Sequence, residues 1–117
     1  MRDHTKLHAF RLADELTLAV YRATKNFPKD ERFGLTAQIR RAAVSGASNI
    51  VEGCARHTEA DYLHYLDMAH GSAHELEYQI GLAFRLGYLS EKDYMALRAA
   101  SEEACKVLNG LIRSLRR

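Results

Sequence analysis

Apolar residues recur along this chain at alternating spacings of four and three, one face of an α-helix, in four separate runs. The first covers about Lys6 to Asn26, with Leu12, Leu16, Ala19, Ala23 and Phe27 as its stripe, and Pro28 ends it. The second, GLTAQIRRAAVSGASNIVEG at residues 34–53, is entered through a turn from Lys29 to Arg32 and carries Leu35, Ile39, Ala42, Gly46 and Ile50. The third opens at Thr58 with Asp61 three residues on, a capping-box-like start. Its seam is Tyr62, Leu66, Ala69, Ala73, Leu76, Ile80 and Ala83, and Gly87 stops it, a residue that tolerates left-handed dihedrals. Ser90 and Asp93 repeat the cap signature before the fourth run, Tyr94, Leu97, Ser101, Ala104, Leu108, Leu111 and Leu115. No stretch shows the period of two that marks a strand.

Runs of this length make helices roughly 30 to 40 Å long at about 1.5 Å per residue. Short connections force neighbours antiparallel, so the pattern predicts an all-α, up-down-up-down four-helix bundle. The 117 residues suffice for one such domain, spanning 1–117, and not for two. A single proline, Pro28, suits long uninterrupted helices.

The second run has more apolar surface than one core requires. Besides its core seam it carries Val44, Ala47, Val51 and Cys54 about 100° around, and a third stripe of Gln38, Arg41, Ser45, Ser48 and Glu52. Its only charges are Arg40, Arg41 and Glu52. A helix buried on one side needs one seam; the spare one predicts contact with a second copy of the chain, through Val44, Ala47, Ser48 and Val51.

Composition adds bounds rather than identity. The chain is 47% hydrophobic and 27% charged, which fits a folded domain and argues against disorder. Cys54 and Cys105 match no metal or redox spacing and read as free thiols of a reducing compartment. The start, MRDHTKLHAF, lacks the apolar core of a signal peptide, and no run reaches the roughly 18 apolar residues of a membrane span, so a cytoplasmic location is expected.

Six histidines raise the question of a metal. Asp67, His70, His74 and Glu77 share one face of the third helix, and histidines four apart can chelate zinc. A di-iron bundle needs inward carboxylates from all four helices, whereas Asp14, Glu15, Glu102 and Glu103 all lie off the seams. The sequence therefore favours a solvated or intersubunit polar stripe, with no metal or cofactor. Ser45, Ser48, Cys54 and Cys105 have no neighbouring His–acid arrangement in the sequence, and no phosphate-binding loop follows a strand. The expectation is a protein without enzymatic activity.

The net charge of +2 is small, but its distribution is uneven. Up-down-up-down topology gathers Arg2, Lys6, Arg11, Arg56, Arg113, Arg116 and Arg117 at one end, against Asp3, Glu52, Glu59 and Asp61. At the other end Lys25, Lys29, Arg32 and Lys92 are balanced by Asp30, Glu31, Glu91 and Asp93. Repeated around an oligomer, the basic end would attract a polyanion such as RNA or DNA. Arg40 and Arg41, mid-helix, are candidates for a similar role lining a ring's bore. The competing reading is a scaffold that docks a protein partner through its assembled ring.

The stretch FGLTAQIRRAAVSGASNIVEG closely resembles the signature of the bacterial 23S rRNA intervening-sequence protein family, also called four-helix bundle proteins. So does YLHYLDMAHGSAHELEYQIGLAFRLGYLS, through Ala69, Gly71, Ser72, Glu75, Leu76 and Glu77, and LNGLIRSL from Leu108 to Leu115 extends the match over nearly the whole chain. The resemblance implies a four-helix protomer assembling into a ring-like homopentamer, without an established enzymatic activity. It also implies kinship with accessory proteins of diversity-generating retroelement reverse transcriptases, where a basic barrel contacts nucleic acid. Gly46-Ala47 stands where the family often has Ile-Pro or Val-Pro, which implies a straighter second helix. His70 stands where Arg is usual, removing a permanent charge.

Overall fold

The computed structural model describes residues 2–117. Four helices, α1 (His8–Ala23), α2 (Leu35–Cys54), α3 (Glu59–Arg85) and α4 (Glu91–Leu115), form an antiparallel bundle with a long axis of 43 Å. Each helix packs on two neighbours, in the cyclic order α1, α2, α3, α4, and α2 makes its closest association with α3. No strand occurs among the described residues.

The expected caps form. Thr58 accepts the Asp61 N–H at 3.1 Å and Ser90 accepts the Asp93 N–H at 3.1 Å, each satisfying a donor left over at a helix start. Gly87, at φ +80°, closes α3, and the Tyr88 N–H returns to the Ala83 carbonyl. The start of α2 is capped from a distance: the Glu31 carboxylate accepts the Leu35 N–H at 3.0 Å and the Tyr88 hydroxyl at 2.8 Å. That acid closes the helix start and ties the first connection to the last.

Helix α1 is shorter than its periodicity suggests. Asp3 caps a separate 3₁₀ turn at His4–Lys6, and extended Leu7 interrupts the chain before the α-helix starts at His8. At the other end Thr24 leaves the helix and Phe27 folds under it. The seam of α4 also moves: Ile112 is buried while Leu111 and Leu115 are partly covered. A straight helix drifts about 20° per heptad against a strict seven-residue repeat, so the seam is one position out by the last turns.

The core has two halves. Leu16, Val20, Phe27, Leu35, Ile39, Leu76, Ile80, Leu89 and Leu97 fill the half nearest the α1–α2 and α3–α4 connections. Ala9, Ile50, Cys54, Tyr62, Leu66, Leu108 and Ile112 fill the half where the chain termini meet. Between them the lining is mainly small, with Ala13, Ala42, Ala43, Gly46, Ala69, Ala73 and Ala104 around an apolar void of about 30 Å³.

These small residues account for much of the plainness of α2. Ser45 hydroxyl meets Ser72 hydroxyl at 2.9 Å, the Thr17 hydroxyl donates to the Ala43 carbonyl at 3.1 Å, and Gly53 lies directly against Tyr62 and Tyr65. The helix is bland largely because α1 and α3 approach it closely within one protomer. Cys54, read from the sequence as part of the outward seam, is instead fully buried against Tyr62 at the terminal half of the core. The helix carries it past the outward phase held by Val44.

Candidate functional site

The termini and the α2–α3 connection meet at one end, where the backbone N–H of Arg2 donates to the Cys54 carbonyl at 3.0 Å. The basic side chains gathered there fall into two sets. Arg2 lies over the Tyr62 ring, 3.9 Å from its centroid, and Arg56 pairs with Glu52 at 3.2 Å beside Tyr65. Arg116 reaches across to Asp67 on α3. Lys6, Arg11, Arg113 and Arg117 are exposed and form no ion pair among the described residues. Exposed ion pairs contribute at most about 1 kcal/mol, so Arg56 and Arg116 can exchange their carboxylates for another anion at little cost.

Arg40 has a different environment. Its Nε donates to the Thr24 hydroxyl at 2.8 Å and its guanidinium stacks on Tyr21, 4.7 Å from the ring centroid. It locks α1 to α2 at the far half of the bundle. Arg41 is exposed and edges a shallow cleft between α2 and α3 with Gln38, Ser45, Glu75 and Gln79.

Of the residues expected at a subunit contact, Val44 and Ser48 are exposed, and Ala47 and Val51 are half-buried. The fold adds aromatic neighbours that periodicity does not reveal. Phe33, 89% exposed, lies with Tyr21 and Val44 along one groove on the outer side of α1 and α2. Arg32, Arg40 and Arg41 line the same groove, with Arg32 5.4 Å from the Phe33 ring centroid, so its surface mixes aromatic and cationic groups.

The stripe on α3 gains a member from another helix. His70 and His74 are edge-to-face with ring centroids 4.5 Å apart, and Cys105 of α4 places Sγ 3.9 Å from His74 Nε2. The sequence offers no sign of this thiol beside a histidine, because the residues lie on different helices. Burial, with a smaller effect from Glu77, pushes the Cys105 thiol up, and burial with neighbouring His74 pulls the His70 imidazole down. For Cys105 this is the opposite of the lowering that activates a nucleophilic cysteine. Cys54 is likewise raised by burial. No described helix is long and apolar enough to cross a membrane.

No curated protein matches the sequence. A solved structure from Bacteroides thetaiotaomicron, described as a protein of unknown function from the S23 ribosomal protein family, superposes with a TM-score of 0.82 at 25% identity. The match covers 90% of this chain and 95% of that one. Residues 5–110 match the model of the 23S rRNA-intervening sequence protein family, a span that takes in all four helices except the last turn of α4. With the bundle architecture and the sequence signatures in α2 and α3, the match establishes that this chain belongs to the 23S rRNA-intervening sequence protein family.

Proposed function

We propose that the protein is a non-enzymatic oligomer that binds nucleic acid through the end of the bundle where its termini meet. The observation that carries this reading is the exposed set Lys6, Arg113 and Arg117, unpaired among the described residues and flanked by the exchangeable Arg56 and Arg116. Self-association is supported by the groove of Tyr21, Phe33 and Val44, which extends the outward seam of α2. Several copies arranged around a ring would add their basic ends into one field, and a homopentamer is the assembly implied by the family resemblance.

Such binding rests on charge attraction to phosphates and is weakly sequence-specific, because the basic end offers cations rather than base-reading geometry. Its test is a titration with structured RNA and with duplex DNA at several salt concentrations, on a species whose mass is set by light scattering against the 13.3 kDa protomer. A Lys6→Gln, Arg113→Gln, Arg117→Gln variant is expected to flatten the log–log salt slope by roughly 0.7 to 0.9 for each phosphate that is no longer neutralised. Arg40→Gln, whose guanidinium is engaged between α1 and α2, should leave the slope alone. Binding absent from the wild type at low salt would overturn the nucleic-acid reading and favour a scaffold for a protein partner. A monomer would overturn the assembly.

A further inference from the structure

We propose that His70, His74 and Cys105 form a zinc site that clasps α3 to α4, with its fourth coordination position facing solvent. The two imidazoles lie one turn apart on α3, and the thiol arrives from α4. One ligand atom from each of the three lies within 4.8 Å of the others, with His70 and Cys105 half-buried and His74 exposed. Ligand atoms around a tetrahedral zinc, with bonds of about 2.0 to 2.3 Å, are roughly 3.3 to 3.8 Å apart. The 3.9 Å between Cys105 Sγ and His74 Nε2 is close to that spacing. The widest separation closes by about 1 Å through small side-chain torsions within a rotamer well.

The donor set selects the metal. Thiolate and imidazole ligands favour zinc over magnesium or calcium, which take oxygen ligands. Three protein ligands with an open fourth position is an arrangement zinc accepts, water completing the tetrahedron. On binding, Cys105 releases its thiol proton to solvent and donates a sulfur lone pair, while both imidazoles coordinate as neutral rings. Glu77 lies close enough to act on Cys105, and its negative charge favours a cation here, while Asp67 beside His70 is already paired with Arg116. The clasp joins α3 to α4 and takes none of the basic side chains at the terminal end as a ligand, so metal binding is measured separately from nucleic-acid binding.

Cobalt(II) is the probe of choice, added to metal-free protein without a histidine tag and then displaced by zinc. The wild type is expected to develop a thiolate-to-cobalt charge-transfer band and the intense visible bands of tetrahedral coordination, saturating at one metal per subunit. Cys105→Ser should lose the charge-transfer band, and both Cys105→Ser and His74→Ala should weaken zinc binding at least about tenfold, the lower bound for losing even an outer-sphere partner. Cys54→Ser should retain the band, since Cys54 lies in the terminal half of the core. Zinc should raise the melting temperature of the wild type and not that of Cys105→Ser, a readout that also reports whether the variant folds. No thiolate band at saturating cobalt would overturn the proposal, as would its persistence in Cys105→Ser or unchanged zinc affinity in His74→Ala.

Discussion

The two halves of the bundle share helices and core chemistry but use their polar groups differently. At the connection end, Glu31 is consumed by the Leu35 N–H and Tyr88, and Arg40 by Thr24 and Tyr21. At the terminal end Lys6, Arg113 and Arg117 are left without an ion-pair partner among the described residues. The connection end also exposes Lys25, Lys29, Arg32 and Lys92 but sets as many acids beside them, whereas the terminal end carries more cations than acids. The alanine-lined waist between the halves lets each keep its own cluster of large side chains.

The largest test of this division is truncation of one leucine in each half. Leu76 and Leu66 are 2% and 0% exposed, in the connection-end and terminal clusters respectively. Each change to alanine is expected to cost about 2–5 kcal/mol in denaturant unfolding, with Leu76→Ala toward the upper part because it enlarges a void already present. Both variants should still unfold in one transition. Two resolved transitions would show that the halves are separate cooperative units and that the waist does not couple them.

A smaller effect tests how closely α2 approaches α3. A Cβ on Gly53 would lie 3.0 Å from the Cβ of Tyr65 and 3.3 Å from the Tyr62 carbonyl, neither of which can swing away. Overpacking of this kind costs about 1–3 kcal/mol, outweighing the gain of up to about 1 kcal/mol from alanine's helix propensity. Gly71, exposed on α3, has nothing within 4 Å of an added Cβ. Gly71→Ala should therefore stabilise by about 0.5–1 kcal/mol while Gly53→Ala destabilises. Equal stabilisation in urea titrations of the two variants would mean that the helices are not held together at Gly53.

The fold was legible because its signals are local. Heptad spacing located four helices, the Thr58 and Ser90 caps form as read, and Gly87 adopts the positive φ its position suggests. What escaped was rotational phase. Spacing places a residue on a face to within about one position, which decides whether Cys54 is outward or buried and whether Leu111 or Ile112 meets the core. The separate turn before α1 was missed because Asp3 stabilises it through a side chain that periodicity ignores. The basic end was legible from topology alone, since it needs only the direction of each helix. The engagement of Arg40 by Thr24, of Arg116 by Asp67 and of His74 by Cys105 joins residues far apart in sequence on neighbouring helices, and each depends on phase.

The smallest predicted effect lies at the connection end and concerns pH. Glu31 is held below the usual carboxylate range, first by the Leu35 N–H and then by the Tyr88 hydroxyl, both of which favour the ionised form. A carboxyl depressed in the folded state contributes stability above its unfolded pKa and loses it as pH falls through the folded value. Its contribution is therefore complete at neutral pH and lost in acid, below the ordinary value of 4.5. Glu31→Gln keeps an oxygen for the Leu35 N–H but carries no charge, so the wild type should be the more stable near neutrality and the two should converge in acid. Denaturant titrations of both proteins from neutral into acid pH would read the difference directly. A gap that stays constant across that range would mean that Glu31 acts by shape and hydrogen-bond geometry alone, and that the connection end is not closed by charge.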